Sequence, residues 1–291
     1  MAKTRKTTEA TEAGDLTFAI SPIEVGQVRM FVLGKSPLVM NRLPKKAREE
    51  LLWPRIKLNR AERATTLKHD PVAEFNDSIY RCRDDKAPTL IHLPNGSFKK
   101  AMANAALRIP GATKTEVGQL VKVIDNTVHL YGKPFLYMAP VREGGMTKTP
   151  NIRTRAMFPE WCTEITVQYI RKLVREQDII NLMTWAGEIC GVGDGRTEKG
   201  TFNYGSWELV AHNDKRWLDI AKRGGRPVQV AAMKNPECAD IDTEELFAWY
   251  QNEFKRREFD KREPAPTDVA AAGNGKRRRK QPLLEADMQA E

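Results

Sequence analysis

Several things are missing from this sequence. The 291 residues include four cysteines (Cys82, Cys162, Cys190 and Cys238) and no CxxC pair, so neither a disulfide framework nor a zinc ribbon is written into the chain. No apolar run approaches the roughly 20 residues of a membrane-spanning helix. The opening stretch MAKTRKTTEATEAGD carries charge where a secretory signal carries an apolar core, and no such signal is expected. The four histidines form no HxH, HxxxH or HExxH spacing, and no G-x-S-x-G elbow appears. We therefore expect no metal, no cofactor and no active site. Soluble, cytoplasmic residence in a bacterial or phage-infected cell is the accompanying expectation.

What is present is positive charge. Lys and Arg number 48 against 38 Asp and Glu, a net charge of +10, and a surplus of that size favours a polyanionic partner. Residues 1–15 and 263–291 each balance to zero, despite the KRRRK run at 276–280. Both are poor in aromatics, and they read as disordered tails flanking a domain at 16–262. The densest basic block spans 40–69, where nine cations, among them Arg42, Lys45, Lys46 and Arg48, face three carboxylates. It reads as a basic insertion. A solvated face is the plainer alternative for such a block.

Apolar periodicity sketches the domain. Residues 26–33 alternate as a strand, and 121–124, 128–131, 135–138 and 163–170 read the same way. Asp70-Pro71 opens a helix, and the Pro94-Asn95-Gly96-Ser97 turn opens another that carries Lys99 and Lys100. Residues 176–190 form the clearest helix, with Ile179, Met183, Ala186 and Cys190 on one face. Residues 202–210 read as a strand. A polar linker follows Trp217, and a last helix covers 243–259. The order suits an α+β fold built around an antiparallel sheet with helices on one face.

The most informative stretch is GVGDGRTEKGTFNYGSWEL, from Gly191. No lysine precedes its Thr201 as a Walker A loop requires. A helix comes before it and a strand after, the reverse of a dinucleotide-binding turn. Gly191, Gly193, Gly195 and Gly200 lack side chains and so permit close backbone approach. Arg196 and Lys199 add charge to whatever approaches. The bland alternative is a sharp helix-to-strand connector. Phe158, Trp161, Phe202 and Tyr204 are the rings that could stack on bases. For Trp161 and Phe202 a core role is the stronger expectation.

A helix followed by this glycine loop and a strand resembles the RAMP superfamily, the RRM-like proteins of CRISPR effector complexes. The LPNGSFKKAM helix opening and the basic, aromatic RTRAMFPEW stretch, with Arg153 and Arg155, are similar to RAMP-like proteins of phages and other mobile elements. The resemblance implies a ferredoxin-like, RRM-type sheet. It also implies a non-catalytic role coating single-stranded RNA or DNA, in a homo-oligomer or a multisubunit assembly along the strand. The binding residues would be Arg42, Lys45, Lys46, Arg48, Ser97, Lys99, Lys100, Arg153, Arg155, Gly191, Gly193, Gly195, Arg196, Lys199, Gly200 and Tyr204. No histidine stands where RNA-cleaving members place theirs. Two other classes remain open: an endoribonuclease using His92 or His129 as general base, and an assembly protein whose basic face is incidental.

The tails yield a first prediction. Removing residues 1–15 and 264–291 should leave the melting temperature within a degree or two, roughly, because neither can bury a core. A large drop by calorimetry would move the domain boundary.

Overall fold

The computed structural model describes residues 22–53, 69–142, 150–200 and 202–262. The N-terminal tail, most of the C-terminal tail and the larger part of the basic block lie outside them.

Strand β1 (Val25–Gly34) alternates as its sequence demands, burying Val28, Met30 and Val32 while Gln27 and Arg29 face outward. Its partner is β8 (Cys162–Ile170), antiparallel from Val25↔Ile170 to Leu33↔Cys162. On the other side of β1 lies β9 (Trp207–Val210), paired through Phe31–Gly34. The far edge of β8 carries β4 (Val121–Val123) and β5 (Val128–Tyr131) end to end. Between them the Asp125 carboxylate accepts from the Thr166 N–H, standing in for a strand carbonyl. A short β3 (His92–Leu93) continues from β5, so the order is β3-β5-β8-β1-β9.

Two helices cross one face. α3 (Asn95–Ala105) links β1 to the β4/β5 position, and α5 (Glu176–Ile189) links β8 to β9. Two split β-α-β units around an antiparallel sheet make the ferredoxin-like, RRM-type arrangement expected from the sequence. Phe98 and Met102 of α3 and Ile179, Met183 and Ala186 of α5 fill the space between helices and sheet. Trp207 lies edge-on to Phe98, ring centroids 5.3 Å apart, and against Gly187, where a Cβ would meet its backbone and indole.

The insertions build a second, three-stranded sheet in the order β2-β7-β6. It contains β2 (Leu38–Val39), β6 (Phe135–Arg142) and β7 (Pro150–Phe158). The basic helix α1 (Lys45–Leu52) follows β2, and α2 (Pro71–Asp77) packs on β7 with Asp70 as its cap. A helix not expected from the sequence, α4 (Lys114–Leu120), opens with a Thr113–Glu116 capping box.

Two expectations fail here. Residues 202–206 are loop, and only Trp207–Val210 pairs as strand. The stretch expected as a polar linker holds α6 (Lys215–Arg223) and α7 (Arg226–Lys234). Trp217 of α6 stands edge-on to Phe31 at 5.2 Å and beside Tyr131, covering the end of the sheet face opposite α3 and α5. The last helix, α8, spans Ile241–Arg262, and the chain divides into two compact units after Phe247. Within the second unit Glu253 pairs with Arg256 and Arg257.

The α7 contact is polar. Gln229 is fully buried, and its amide oxygen accepts from Leu90 N (2.9 Å) and Ile91 N (3.0 Å). Its amide nitrogen donates to the carbonyls of Leu130, Gly132 and Gly224. One side chain thus bonds backbone groups of three segments at once, sharing the Gly224 carbonyl with the Gly132 N–H. Gln229→Ala should cost about 3 kcal/mol, since orphaned buried groups forfeit roughly 1–3 kcal/mol each. Urea denaturation reads this directly, and a loss below about 1 kcal/mol would show that the amide is dispensable.

Candidate nucleic-acid interface

The β6–β7 hairpin has two faces fixed by strand alternation. Leu136, Met138, Thr154 and Ala156 point into the core. Tyr137 and Ala139 lie on the other face, registered against Arg155 and Arg153. The glycine loop runs in front of that face. Asp194 forms an ion pair with Arg155, and the Tyr204 hydroxyl lies 3.4 Å from that of Tyr137. Phe202 stacks on Tyr204 with ring centroids 5.4 Å apart and planes 6° from parallel. A shallow cleft results, walled by Val39, Tyr137, Ala139, Val141, Arg153, Arg155, Asp194, Gly195, Phe202 and Tyr204.

The charges in this cleft differ in availability. Burial and the neighbouring Arg153 pull Arg155 down to about 10, still cationic at neutral pH, with Asp194 as its counter-charge. Burial and the Tyr204 hydroxyl push the Tyr137 phenol up, so it stays protonated. Arg153 is exposed and carries no ion pair among the described residues. Phe202 is 45% exposed. Half of the stacked ring pair is therefore open to solvent beside an available guanidinium.

The glycines have their own geometry. Gly191, Gly193, Gly195 and Gly200 all adopt positive φ. A Cβ on Gly193 would run into the Val39 carbonyl and Leu38, and one on Gly195 would stand 2.9 Å from the Tyr204 ring. Gly200 faces open space. The close approach that Gly193 permits is thus to β2 of the same chain. Arg196 is also turned inward, bonding Glu198 at 2.8 Å and the Gly193 carbonyl at 3.2 Å. Glu198 in turn accepts from Asn104 of α3 at 2.6 Å.

Of the residues singled out from sequence, the cleft gathers Arg153, Arg155, Gly195 and Tyr204. The others lie elsewhere. Gly191 is buried beneath the loop, and Lys199 is exposed on the short turn Thr197–Lys199. Ser97 and Lys99 are half-buried and Lys100 exposed on α3. Arg42 donates to the Ile79 carbonyl at 3.2 Å, and Lys45 pairs with Glu49 across one helical turn. Arg48 is half-buried on α1, and the side chain of Lys46 lies outside the described residues. Among the candidate rings, Phe158 and Trp161 are core residues, whereas Phe202 is on the surface. Tyr137 and Asp194 were missed. The alternation of Leu136 and Met138 was the available signal, since it places Tyr137 on the hairpin's outer face.

Among the described residues no helix is long and apolar enough to cross a membrane, and no group of three or more His, Cys, Asp or Glu side chains could hold a metal ion. No family model matches the sequence, and no curated protein does. Among solved structures, the chain matches one described as the cryo-EM structure of the Type III-B Cmr-beta bound to cognate target RNA. The TM-score is 0.33 at 11% identity, covering 64% of this chain and 59% of that one, less than two thirds of its length.

Gly193 and Gly200 make a controlled pair. Both sit at positive φ, so an alanine at either costs about 1 kcal/mol in backbone strain. Only at position 193 does the added methyl meet backbone, for roughly 1–3 kcal/mol more. Chemical denaturation of Gly193→Ala and Gly200→Ala should show that gap. Equal losses would mean that the loop yields at Val39.

Proposed function

We propose that this chain is a non-catalytic, single-strand nucleic-acid-binding protein of RAMP type, whose ligand runs through the cleft between the β6–β7 hairpin and the glycine loop. The observation that carries the reading is the half-open Phe202–Tyr204 stack in one cleft with Arg153, which is exposed and has no ion pair among the described residues. A base stacks on an exposed ring irrespective of its identity, and a guanidinium one step away takes the phosphate. The ferredoxin-like sheet and the net charge of +10 are consistent with that chemistry. RNA coating and single-strand DNA binding share it.

One observation favours a second reading, an endoribonuclease. His92 and His129 are direct cross-strand partners on β3 and β5. Thr89 donates its hydroxyl proton to the Ile91 carbonyl at 2.8 Å, so at 3.0 Å its oxygen accepts from His129 Nδ1. That leaves Nε2 as the basic nitrogen of the neutral ring. Burial, aided by His92, lowers the His129 pKa and keeps the ring neutral.

Fluorescence anisotropy with a labelled single-stranded oligonucleotide across a salt series tests the main reading. Arg153→Ala should weaken binding and shallow the log–log salt slope by about 0.7. Phe202→Ala should cost roughly 1–3 kcal/mol of binding with the slope unchanged. Both variants should melt like the parent. Salt-independent or absent binding would sink the proposal in favour of an assembly role. Cleavage of an RNA oligonucleotide, lost in His129→Ala, would favour the endoribonuclease.

A further inference from the structure

An apolar feature is left over by the cleft: an open groove of about 820 Å³ between α4 and α5, lined by Val117, Leu120, Val174 and Leu182. That volume lies within the roughly 300–1,000 Å³ typical of concave binding sites. Leu173, 66% exposed, lines it just before α5 begins, and Trp185, 48% exposed, lines it farther along that helix. Two carboxylates line the groove, and both are already engaged. Glu116 accepts from the Thr113 N–H and hydroxyl, and Asp178 from the Arg175 guanidinium. No lysine or arginine lines it among the described residues. The groove therefore suits an occupant with apolar side chains and no charge of its own.

The chain itself supplies one. The Glu24 carbonyl accepts from Arg171 N at 2.9 Å, and Lys172 pairs with the Glu24 carboxylate at 3.2 Å. The chain thus enters β1 beside the residues that lead directly into Leu173. Immediately before that point runs Leu16-Thr17-Phe18-Ala19-Ile20-Ser21, which lies outside the described residues and carries no charge. Its large apolar residues alternate with small ones, a period of two. They fall in the same even-numbered register as Val28, Met30 and Val32, which β1 buries. Reach is sufficient. From Ile23 back to Leu16 an extended chain spans up to about 24 Å, whereas Asp178 to Trp185 covers roughly 10 Å of α5.

We propose that Leu16, Phe18 and Ile20 seat in the groove between α4 and α5 of the same copy, as a strap that fastens the two helices together. Burial of three large apolar side chains against an apolar lining is the driving force. The tether decides between this occupant and a free one. A segment attached a few residues away acts at an effective concentration on the order of millimolar, ahead of any untethered peptide of equal affinity. Residues 1–15, polar and charged, take no part.

The inference does not rest on the nucleic-acid reading, and its test uses the full chain freed of nucleic acid by nuclease and high-salt washing. Hydroxyl-radical footprinting read by mass spectrometry reports the exposure of each side chain. In the parent, Phe18 should be oxidised several-fold more slowly than in the urea-unfolded chain, at every protein concentration. The triple variant Leu16→Ser, Phe18→Ser, Ile20→Ser should speed oxidation of Trp185 and Leu173 several-fold and leave Phe202 unchanged. Trp185→Glu should release Phe18 to the same degree, whereas Trp185→Phe should keep it slow. Trp185 is a surface side chain, so cooperative melting by circular dichroism should persist in both its variants. Oxidation of Phe18 at the unfolded rate in the parent overturns the proposal. So does a triple variant that leaves Trp185 and Leu173 unmoved. Protection of Phe18 that fades on dilution would give the groove to a second copy, and protection of Leu283 and Leu284 in place of Phe18 would give it to the C-terminal tail. Either result overturns the strap.

Discussion

The cleft depends on the backbone of the glycine loop lying directly on the segment that joins the two sheets. Residues 35–40 leave β1 and enter β2, and the loop grips them at three points. Asp194 N donates to the Val39 carbonyl at 2.8 Å, Gly205 N to that of Pro37 at 2.8 Å, and Lys35 N to that of Ser206 at 2.9 Å. Such contact leaves no room for a side chain at Gly193, where a Cβ would meet the Val39 carbonyl, while at Gly205 a Cβ would meet Val192 of the loop itself. Because β2 pairs with β7 through Leu38↔Phe158 and Val39↔Met157, the same grip fixes the hairpin. The connector and the proposed binding wall, which the sequence presents as rival readings of the glycines, are thus compatible with one contact.

Charge follows the same division of labour. Arg155 is answered by Asp194 and Arg196 by Glu198, so these cations stabilise the loop locally and offer little to a ligand. Half-buried pairs of this kind recover desolvation through mutual attraction and make poor phosphate contacts, since a phosphate must first displace the carboxylate. Arg153, on the same face two residues before Arg155, is exposed and has no ion pair among the described residues. The cleft thus has a closed, neutralised floor and an open cationic edge.

Much of the scaffold was legible because it obeys simple periods. Alternation gives β1 and β8 their faces, Asp70-Pro71 caps α2, and the Ile179–Met183–Ala186 stripe defines α5. The α6–α7 pair was illegible for a physical reason. Both helices are nine residues long, separated by Gly224 and Gly225, and α7 is docked by the polar Gln229. In α7 that polar residue takes a place on the buried face beside Ala232 and Met233, and α6 has room for only one short stripe, Trp217 and Ile220. The cleft was only half legible. Its basic residues and its loop stood out, but their meeting depends on pairing between β6 and β7 and on the loop's return over β2. Those contacts span tens of residues and leave no local signature. Phe202 was misjudged toward the core because residues 202–206 read as a strand, whereas the loop bends there to bring Tyr204 against Tyr137.

The open face of the sheet and the cleft differ in how their aromatic rings are engaged. RRM-type sheets bind single strands on the face away from the helices, through rings on the central strands. Here those rings are occupied. Phe31 of β1 and Tyr131 of β5 pack against Trp217 of α6, whose indole donates to the Thr163 carbonyl at 3.2 Å. Further along the same face Arg29 grips Glu164 across β1 and β8, with a second bond of 2.7 Å from its Nη2. A helix seated on one end and an ion pair across the middle cover part of this face, leaving Phe31 and Tyr131 half-buried. The exposed ring of the proposed interface is instead Phe202, on a loop whose position is set by the grip on residues 35–40.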